Sequence, residues 1–332
     1  MLYWIGFIIC TATIVFSGSK LSKYGDIIAE KTGLGRTLTG VILIASVTSL
    51  PELITGISSV TYAGVPDIAV GNVLGACVLN ILLFALLDFF YHPKPLSAEA
   101  HQGHILSAGF VILLLGIVAT SIFLGEFILP LGWIGPYSLL FIFIYLLAMK
   151  LIHTHEKKEI SAFIKKHAIE LRYKDIPTKT AFVYFGINAI VVIAAATLLP
   201  KIGEGLAEIT GLGQTFVGNI FIAFTTTLPE AIVSLYAIRI GSIDLAIGNL
   251  LGSNIFNIFI LAIDDIFFIK GPLLSFANPN QVIPALSAII MTTVAVIGLT
   301  YHTGKKIFFL AWDSIAIIFC FIVNVLILYS LK

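Results

Sequence analysis

Residues 222–230 read Ile-Ala-Phe-Thr-Thr-Thr-Leu-Pro-Glu, and residues 44–52 read Ile-Ala-Ser-Val-Thr-Ser-Leu-Pro-Glu. A second pair of stretches follows them: residues 71–80 read Gly-Asn-Val-Leu-Gly-Ala-Cys-Val-Leu-Asn, and residues 248–257 read Gly-Asn-Leu-Leu-Gly-Ser-Asn-Ile-Phe-Asn. A carboxylate is costly inside a bilayer, and a proline interrupts the hydrogen bonding of a helix. Two copies of a broken, acidic helix pair therefore indicate a membrane transporter that holds a cation near the bilayer midplane.

The composition of the chain is that of a polytopic membrane protein. Hydrophobic residues make up 58% of the 332 residues and charged residues 11%, whereas soluble domains have about 45–50% apolar and about 25% charged residues. At about 20 residues per span, the apolar segments predict ten transmembrane helices and no removable signal peptide. The expected spans are 2–18, 38–62, 67–91, 103–124, 127–150, 180–200, 215–238, 244–269, 280–300 and 307–330.

The basic residues predict the orientation of these spans. If the N-terminus lies outside, all but three of the 19 Lys and Arg residues fall in cytoplasmic loops. The three exceptions are Lys201, Lys270 and Lys332. Because cytoplasmic loops carry the excess of Lys and Arg, we expect both termini outside the cell. The three cysteines all lie in apolar spans and imply no disulfide framework.

The two halves of the chain are repeats of one unit. Residues 25–35 align without gaps to residues 203–213, so the similarity begins before the Pro-Glu motifs. A unit of five helices is odd, and its second copy enters the membrane from the opposite side, as in inverted-repeat transporters. The predicted fold is thus an all-α polytopic membrane protein with ten transmembrane helices in two inverted five-helix repeats. The predicted units are a first repeat at 1–150 (motif 45–80), a cytoplasmic linker at 151–179 and a second repeat at 180–332 (motif 223–257).

The linker leaves two interpretations open. It is the one sizeable polar segment, and its basic residues favour a solvated connection that fixes topology and touches anionic lipid. A regulatory ion sensor is the alternative, but fewer than 30 residues are too few for a domain with its own core.

Each Pro-Glu motif offers a set of oxygen ligands. Ser49 and Thr227 precede Glu52 and Glu230 by three residues, on the same helical face. The prolines should also release backbone carbonyls about four residues upstream. Carboxylate, hydroxyl and carbonyl oxygens together suit Ca²⁺ or Na⁺. A simple packing kink is the alternative for one such proline, but two copies at equivalent positions argue against it.

The second stretches add amide and hydroxyl candidates. Ser253 and Asn257 lie four residues apart on one face, and Asn80 occupies the place of Asn257 in the first copy. Their oxygens could complete a cation shell, or the side chains could form hydrogen bonds between helices. Small-xxx-small pairs in the same stretches predict close helix packing. These pairs are Gly71 with Gly75 and Gly248 with Gly252.

The other ionisable residues are assigned to structure. We expect four aspartates near span ends to be interfacial charges: Asp88, Asp264, Asp265 and Asp313. Asp67 and Asp244 precede predicted helices, where the helix dipole favours an acidic side chain. The spacing of His92, His101 and His104 does not match a zinc site.

At these motifs the chain resembles the cation/calcium exchanger superfamily, whose repeats carry a Gly-Thr-Ser-Leu-Pro-Glu-like segment followed by Gly-Asn-x-x-Gly-Ser-Asn-x-x-Asn/Asp. The ten-span layout resembles the prokaryotic Na⁺/Ca²⁺ exchanger branch. The resemblance implies that Glu52 and Glu230 are the central Ca²⁺ ligands. It implies further ion ligands at Ser49, Thr227, Asn80, Ser253, Asn257, the neighbouring Thr48 and Thr226, and the carbonyls of Ala45 and Ala223.

Three departures from the family pattern bear on the coupling ion. Ala76 and Cys77 replace the usual Ser-Asn of the first copy, and Asn257 stands where some members have aspartate. Two carboxylates balance one Ca²⁺, two monovalent ions or two protons, but not three Na⁺. The expected function is exchange of Ca²⁺ for Na⁺, with exchange of Ca²⁺ for H⁺, or less favourably a cation channel, as alternatives.

The remaining expectations follow from this assignment. We expect a non-enzymatic protein of the prokaryotic cell membrane with no cofactor and no nucleic-acid partner; its protein partners are left open. An intramembrane aspartyl protease, suggested by the aspartates near span ends, lacks its usual Gly-x-Gly-Asp element here.

Overall fold

The computed structural model describes residues 1–32, 47–91, 94–166, 176–239, 241–301, 306 and 309–331. Several sequence-based predictions fall wholly or partly on other residues: the carbonyl of Ala45, the role of His92, the end of the aligned segment at residues 33–35, the start of the second span at 38–46 and the linker residues 167–175. They stay outside the structural description.

The described chain is helical apart from one isolated bridge between Leu131 and Ile134. Ten helices are labelled here in chain order. They are α1 Leu2–Thr32, α2 Leu50–Ser58, α3 Pro66–Phe90, α4 His104–Leu124, α5 Pro136–Lys166, α6 Thr178–Thr210, α7 Gly213–Arg239, α8 Ile243–Phe267, α9 Val282–Tyr301 and α10 Trp312–Ser330. A π-helical turn, Ser59–Ala63, extends α2, and a second one, Val217–Ile222, lies within α7.

The helices have the length and hydropathy of membrane spans. Within the described ranges, nine of them are long and apolar enough to cross a bilayer. The description of the chain resumes at residue 47, and α2, with nine residues, is too short to be counted. Large apolar side chains such as Phe123, Phe143 and Ile190 are exposed on the outer faces, as expected of surfaces that contact lipid. The all-helical membrane fold is confirmed; the tenth span stays a prediction.

Three helices are longer than the predicted spans. Helix α1 continues past residue 18 to Thr32, and α6 continues past residue 200 to Thr210. Helix α5 begins at Pro136 and not at residue 127, and it continues past residue 150 to Lys166. The extensions contain polar residues, and Gly25 in α1 and Pro200, Gly203 and Gly205 in α6 are tolerated within the helices. Gly211, at φ 67°, ends α6 in the left-handed conformation that favours glycine. The predicted linker thus begins as a continuation of α5.

Helices α3 and α8 form the centre of the bundle. The most apolar windows of α3 and α8 are 67% and 78% buried, against 22% for α1 and 28% for α6. Helices α1 and α6 pack along each other at the periphery, and α1 also packs on α7. The two central helices are equivalent in the repeats, since Pro66 and Ile243, and likewise Phe90 and Phe267, are 177 positions apart.

Small residues let α3 approach α7 closely, as predicted for Gly71 and Gly75. A Cβ atom added at Gly75 would lie 2.2 Å from the Asn219 carbonyl oxygen and 2.7 Å from the Ala223 Cβ. A Cβ at Gly71 would lie 3.1 Å from Asn219 Nδ2. Asn219 belongs to the π-helical turn of α7, so this contact joins the two motif stretches across the repeats.

Asp88 and Asp265 are not interfacial charges, and that prediction was wrong. Both are buried and tie loops to helix ends. Asp265 accepts hydrogen bonds from the Leu273 amide at 2.6 Å and the Ser138 hydroxyl at 2.6 Å, among four donors. Asp88 accepts from the Leu96 and Ala311 amides at 2.7 Å and pairs with Lys306 at 2.9 Å. Because sequence shows a residue's position along a span and not its depth in the bundle, it could not reveal these partners.

Asp264 and Asp313 are likewise buried rather than interfacial, and neither carboxylate has a hydrogen bond of good geometry within the described ranges. Asp313 lies in the first turn of α10, where the helix dipole favours a negative charge. Asp264 has no such compensation, because it lies near the C-terminal end of α8.

Asp67 and Asp244 lie in the first turns of α3 and α8, as predicted. Each also contacts two residues of a neighbouring segment, and these residues occupy equivalent positions in the two repeats. Asp244 accepts from the His101 amide at 2.9 Å and contacts His104 Nε2 at 3.0 Å. Asp67 accepts from the Asn278 amide at 2.8 Å and from Gln281 Nε2 at 3.1 Å. His101 and His104 therefore have structural roles, one on each side of Asp244.

Candidate cation site

Glu52 and Glu230 lie at the centre of the bundle, on the two helices that carry the Pro-Glu motifs. Each glutamate follows a proline, Pro51 in α2 and Pro229 in α7, and both side chains are fully buried. The two carboxylates are close enough to repel each other electrostatically. The structure thus brings together the two residues on which the predicted site depends.

Each carboxylate faces the hydroxyl groups that precede the other motif. Ser49 Oγ donates to Glu230 Oε1 at 2.8 Å, and Thr48 also lies within reach of that carboxylate. In the other direction, Thr227 and Thr226 lie beside the Glu52 carboxylate. The hydroxyl groups predicted for one carboxylate therefore face the carboxylate of the other repeat. Sequence placed each hydroxyl beside its own glutamate along the helix.

The centre of the site contains buried polar atoms without hydrogen-bond partners in the described part of the chain. Buried polar groups are normally paired, and each exception needs an explanation. Four side chains contribute such atoms. They are Glu52 Oε1 and Oε2, Thr227 Oγ1, Glu230 Oε2, and Asn257 Oδ1 and Nδ2. Most of these atoms are oxygens, which is the donor set that Ca²⁺ and Na⁺ prefer.

The asparagines join α3 to α8 beside the glutamates. Asn80 Nδ2 donates to Asn254 Oδ1 at 2.9 Å, and Asn254 Nδ2 donates to the Cys77 carbonyl at 3.2 Å. Asn257 lies beside the Cys77 thiol, and that thiol lies within electrostatic range of Glu52. Asn80 therefore serves as a link between helices, with Oδ1 left unpaired, whereas Asn257 has both polar atoms unpaired. The two predicted equivalents have different surroundings.

Ser253 and Thr226 are also placed at the site with different tasks. Ser253 Oγ is 3.4 Å from Glu230 Oε1, so it supports that carboxylate weakly. Thr226 Oγ1 donates to Asn72 Oδ1 at 2.9 Å and lies 3.2 Å from the Ala223 carbonyl oxygen. That hydroxyl links α7 to α3, and the carbonyl expected from Ala223 already has a hydroxyl neighbour.

The prolines break their helices differently. Helix α2 begins at Leu50, directly before Pro51. The second copy remains helical through Pro229, and its irregularity is the π-helical turn before Ala223. Because Pro229 has no N–H, the helix cannot supply the usual partner of the Thr225 carbonyl, and the π-helical turn lies upstream of that carbonyl.

Asn72, Asn249 and Asn254 contribute to the site although sequence reasoning did not select them as ligands. Asn72 Nδ2 donates to the Glu52 carbonyl at 3.3 Å and Asn249 Nδ2 to the Glu230 carbonyl at 3.5 Å, so each holds the backbone of a motif glutamate. Their equivalent places in the repeats were the available signal. Within the described ranges no group of three or more His, Cys, Asp or Glu side chains could hold a metal. The charged part of the site is therefore the pair of carboxylates, and the other candidate ligands are neutral oxygen atoms.

A bundle of membrane helices with two facing, buried carboxylates at broken or bulged motifs defines a membrane cation transporter. Comparison with known proteins agrees with that class. The profile of the sodium/calcium exchanger protein family matches residues 2–152 and 180–330. The chain belongs to this family, which confirms the resemblance found in the motifs.

Known relatives and solved structures are similar over most of the chain. Inner membrane protein YrbG of Escherichia coli (strain K12) is 27% identical over 75% of this chain and 74% of its own length. The putative antiporter CaxA of Alkalimonas amylolytica is 28% identical over 74% of each chain. The crystal structure of the H⁺/Ca²⁺ exchanger CAX superposes with a TM-score of 0.71 over 99% of this chain and 85% of that one, at 16% identity. The sodium-calcium exchanger NCX_Mj, soaked with Na⁺ and Sr²⁺, gives 0.60 over 98% of each chain, at 20% identity.

These comparisons identify the general class of the protein. The family consists of ion antiporters of the membrane and not of a class of enzymes. The two solved structures share the fold with this chain. The chain is therefore an integral membrane antiporter of the sodium/calcium exchanger family.

Proposed function

We propose that the protein exchanges Ca²⁺ for Na⁺ by alternating access at a single site between Glu52 and Glu230. The observation that carries the proposal is the pair of buried carboxylates, each facing the hydroxyl groups of the other motif. Two negative charges neutralise one Ca²⁺, and the unpaired oxygens beside them provide neutral ligands. The proposed ligands are the glutamates with Ser49, Thr227 and Asn257, supported by Thr48, Asn80 and Ser253.

The electrostatics of the empty site favour exchange over leak. Two like charges in low dielectric are costly unless a cation lies between them. Ca²⁺ removes that cost, and so do two monovalent cations. A protein that must carry one or the other to change conformation moves the two kinds of ion in opposite directions.

The proposed moving part is the pair α1 and α6. These helices pack along each other. Together with α10, they have the least buried apolar segments among the nine long helices of the described chain. They also touch both motif helices. A Cβ at Gly18 of α1 would lie 2.8 Å from Pro229 Cγ, and Ser58 Oγ of α2 donates to the Thr197 carbonyl of α6 at 2.7 Å. Sliding of this pair would therefore open the glutamates to one side or the other.

The predicted arrangement completes the proposal. Two inverted five-helix repeats, at 1–150 and 180–332, would place the motifs at equal depth from opposite sides of the membrane. Both termini would lie outside a prokaryotic cell membrane, as the distribution of basic residues indicates. The ligands of the protein would be Ca²⁺, a monovalent counter-ion and lipid.

Exchange of Ca²⁺ for H⁺ is the second candidate, and one feature favours it. Ser253 lies 3.4 Å from Glu230, whereas its equivalent in the first copy is Ala76, which offers no hydroxyl. A Na⁺ ion needs several oxygen ligands, whereas a proton needs only one carboxylate. The poorer ligand set on the Glu52 side therefore suits a proton as the counter-ion.

The test is ⁴⁵Ca²⁺ uptake into proteoliposomes with either an outward Na⁺ gradient or an outward proton gradient. Uptake with Na⁺ alone supports the first candidate, and uptake with protons alone supports the second. Uptake that persists without any counter-ion gradient, at the rate expected for a channel, would refute antiport.

Two substitutions test whether transport depends on the proposed site. Glu52→Gln and Glu230→Gln should each abolish uptake while the protein remains monodisperse. Glu99→Gln is the matched control, because Glu99 is a surface carboxylate paired with Lys94 at 2.6 Å. Near-normal uptake by both site variants would contradict the proposed site.

A further inference from the structure

Asp264 is one of the buried carboxylates outside the Glu52–Glu230 pair. It is 0% exposed, and neither of its oxygens has a hydrogen-bond partner among the described residues. Its neighbour Asp265, equally buried, accepts hydrogen bonds from four donors. The two adjacent aspartates are therefore different: Asp265 holds the loops together, whereas Asp264 has no such task.

The carboxylate of Asp264 packs directly on the backbone of α2. A Cβ atom added at Gly56 would lie 2.3 Å from Asp264 Oδ2 and 2.6 Å from Oδ1, so glycine leaves the space that the carboxylate fills. Gly56 follows Glu52 by one helical turn, about 6 Å along the axis. Asp264 follows Asn257 by seven residues, which puts both on one face of α8. Asp264 thus packs on α2 about one turn beyond Glu52, and it lies about two turns beyond Asn257 on α8.

A negative charge is poorly compensated at this position. Asp264 lies in the last turn of α8, where the helix dipole is negative and repels an anion. Asp265 is the neighbouring charged group whose field reaches it, and that field is also repulsive. Glu52, one turn away on α2, has the same sign. A buried carboxylate in these surroundings needs a proton or a metal cation beside it.

The opposite half of the protein has no equivalent group. In the first repeat, the position of Asp264 is held by Leu87, and the position of Gly56 in the second repeat is held by Ser234. Ser234 Oγ accepts a hydrogen bond from Asn249 Nδ2 at 3.1 Å, so that contact is already satisfied. The carboxylate therefore lies on one side of the central site only, towards the C-terminal ends of α2 and α8.

We propose that Asp264, seated on Gly56, is an accessory binding site for one monovalent positive charge, a proton or Na⁺, on one of the two access routes to the central site. It deepens the proposed function by adding a place where the counter-ion binds without competing directly with Ca²⁺. In the predicted orientation this route opens to the outside. The hydroxyl of Thr55, buried in the same turn of α2, has no hydrogen-bond partner among the described residues and is an available neutral ligand.

Infrared difference spectra of the purified protein test the site without any transport. In a first series the pH of the medium is changed at constant Na⁺. In a second series Na⁺ is replaced by choline at constant pH. A carboxyl band that responds to pH identifies a proton, and one that responds to Na⁺ identifies the metal ion. In either case the band should be missing from Asp264→Asn. Identical spectra of the variant and the unmodified protein in both series would overturn the proposal.

Ca²⁺ measurements separate this site from the central one. Asp264→Asn should bind Ca²⁺ within about threefold of the unmodified protein and keep its Ca²⁺/Ca²⁺ exchange, while the counter-ion concentration that drives half-maximal exchange rises at least tenfold from one side of the membrane. An equal change from both sides would refute an access-route site. Loss of Ca²⁺ binding in Glu52→Gln but not in Asp264→Asn tests the central site independently.

A second variant keeps the Asp264 carboxylate and changes only the glycine on which it packs. Gly56→Ala displaces the Asp264 carboxylate and should reproduce the loss of the infrared response. Gly116→Ala is the matched control, because a Cβ at Gly116 of α4 meets no atom within 4 Å. An unchanged response in Gly56→Ala would contradict the contact on which the proposal rests.

Discussion

Replacing Glu52 by Gln should make the ion-free protein more stable while removing its ability to bind Ca²⁺. Neither Glu52 oxygen has a hydrogen-bond partner among the described residues, so the amide loses no hydrogen bond of the folded state. The change removes the repulsion between the two carboxylates. Unit charges about 6 Å apart at an effective dielectric constant of about 20 repel by up to about 3 kcal/mol, which sets the upper limit of the gain.

The loss of Ca²⁺ affinity follows from the same charges. With one carboxylate gone, a bound Ca²⁺ leaves a net positive charge buried in the bundle. Removing one partner of a buried ion pair costs about 3–5 kcal/mol. Because each 1.4 kcal/mol is a factor of ten, the dissociation constant should rise by a factor of about 100 to 4,000.

Thermal unfolding in detergent, with and without Ca²⁺, measures both effects. Glu52→Gln should raise the melting temperature without Ca²⁺, most strongly at alkaline pH where both carboxylates are ionised, and abolish the increase that Ca²⁺ causes. Glu230→Gln should gain less, because the neutral amide oxygen accepts weaker hydrogen bonds from Ser49 and Ser253 than the charged carboxylate does. A lower melting temperature of ion-free Glu52→Gln, or an intact Ca²⁺ effect, would refute the reasoning.

Three further outcomes are expected. Gly75→Ala should lower the melting temperature by the equivalent of about 1–3 kcal/mol or more, because its Cβ would lie 2.2 Å from the Asn219 carbonyl oxygen, and Gly116→Ala should not. His104→Gln should keep near-normal stability because an amide can still donate to Asp244, as a glutamine does in the other repeat, whereas His104→Ala should lose about 1 kcal/mol. Ca²⁺ uptake at constant Na⁺ should fall as pH falls, since protons and Ca²⁺ compete for the same carboxylates; uptake independent of pH from 8 to about 5.5 would exclude that competition.

Much of the fold could be predicted from the sequence because a bilayer restricts what a chain can do. Apolar runs of about 20 residues must become helices in lipid, and nine of the expected spans correspond to helices of the described chain. The ends of α1, α5 and α6 were predicted too early, because the predicted ends follow the apolar runs whereas the helices continue into the polar stretches beyond them.

The sequence predicted which residues form the candidate site, but not which hydroxyl group faces which carboxylate. The duplicated Pro-Glu motifs identified Glu52 and Glu230, since a carboxylate inside an apolar run needs a functional explanation. Which hydroxyl faces which carboxylate depends on how α2 crosses α7, and Ser49 meets Glu230 rather than its own neighbour. The sequence alone offers only the spacing along one helix.

The sequence by itself determined the membrane class, the duplication and the two carboxylates, because composition and repetition are properties of the chain. Only the tertiary structure decided the depth of the aspartates in the bundle. Asp264 and Asp265 are adjacent in sequence and both are fully buried, yet one has no donor among the described residues and the other has four. Successive residues of a helix point about 100° apart and so face different neighbours. For this reason one of two adjacent aspartates can hold loops while the other meets no donor.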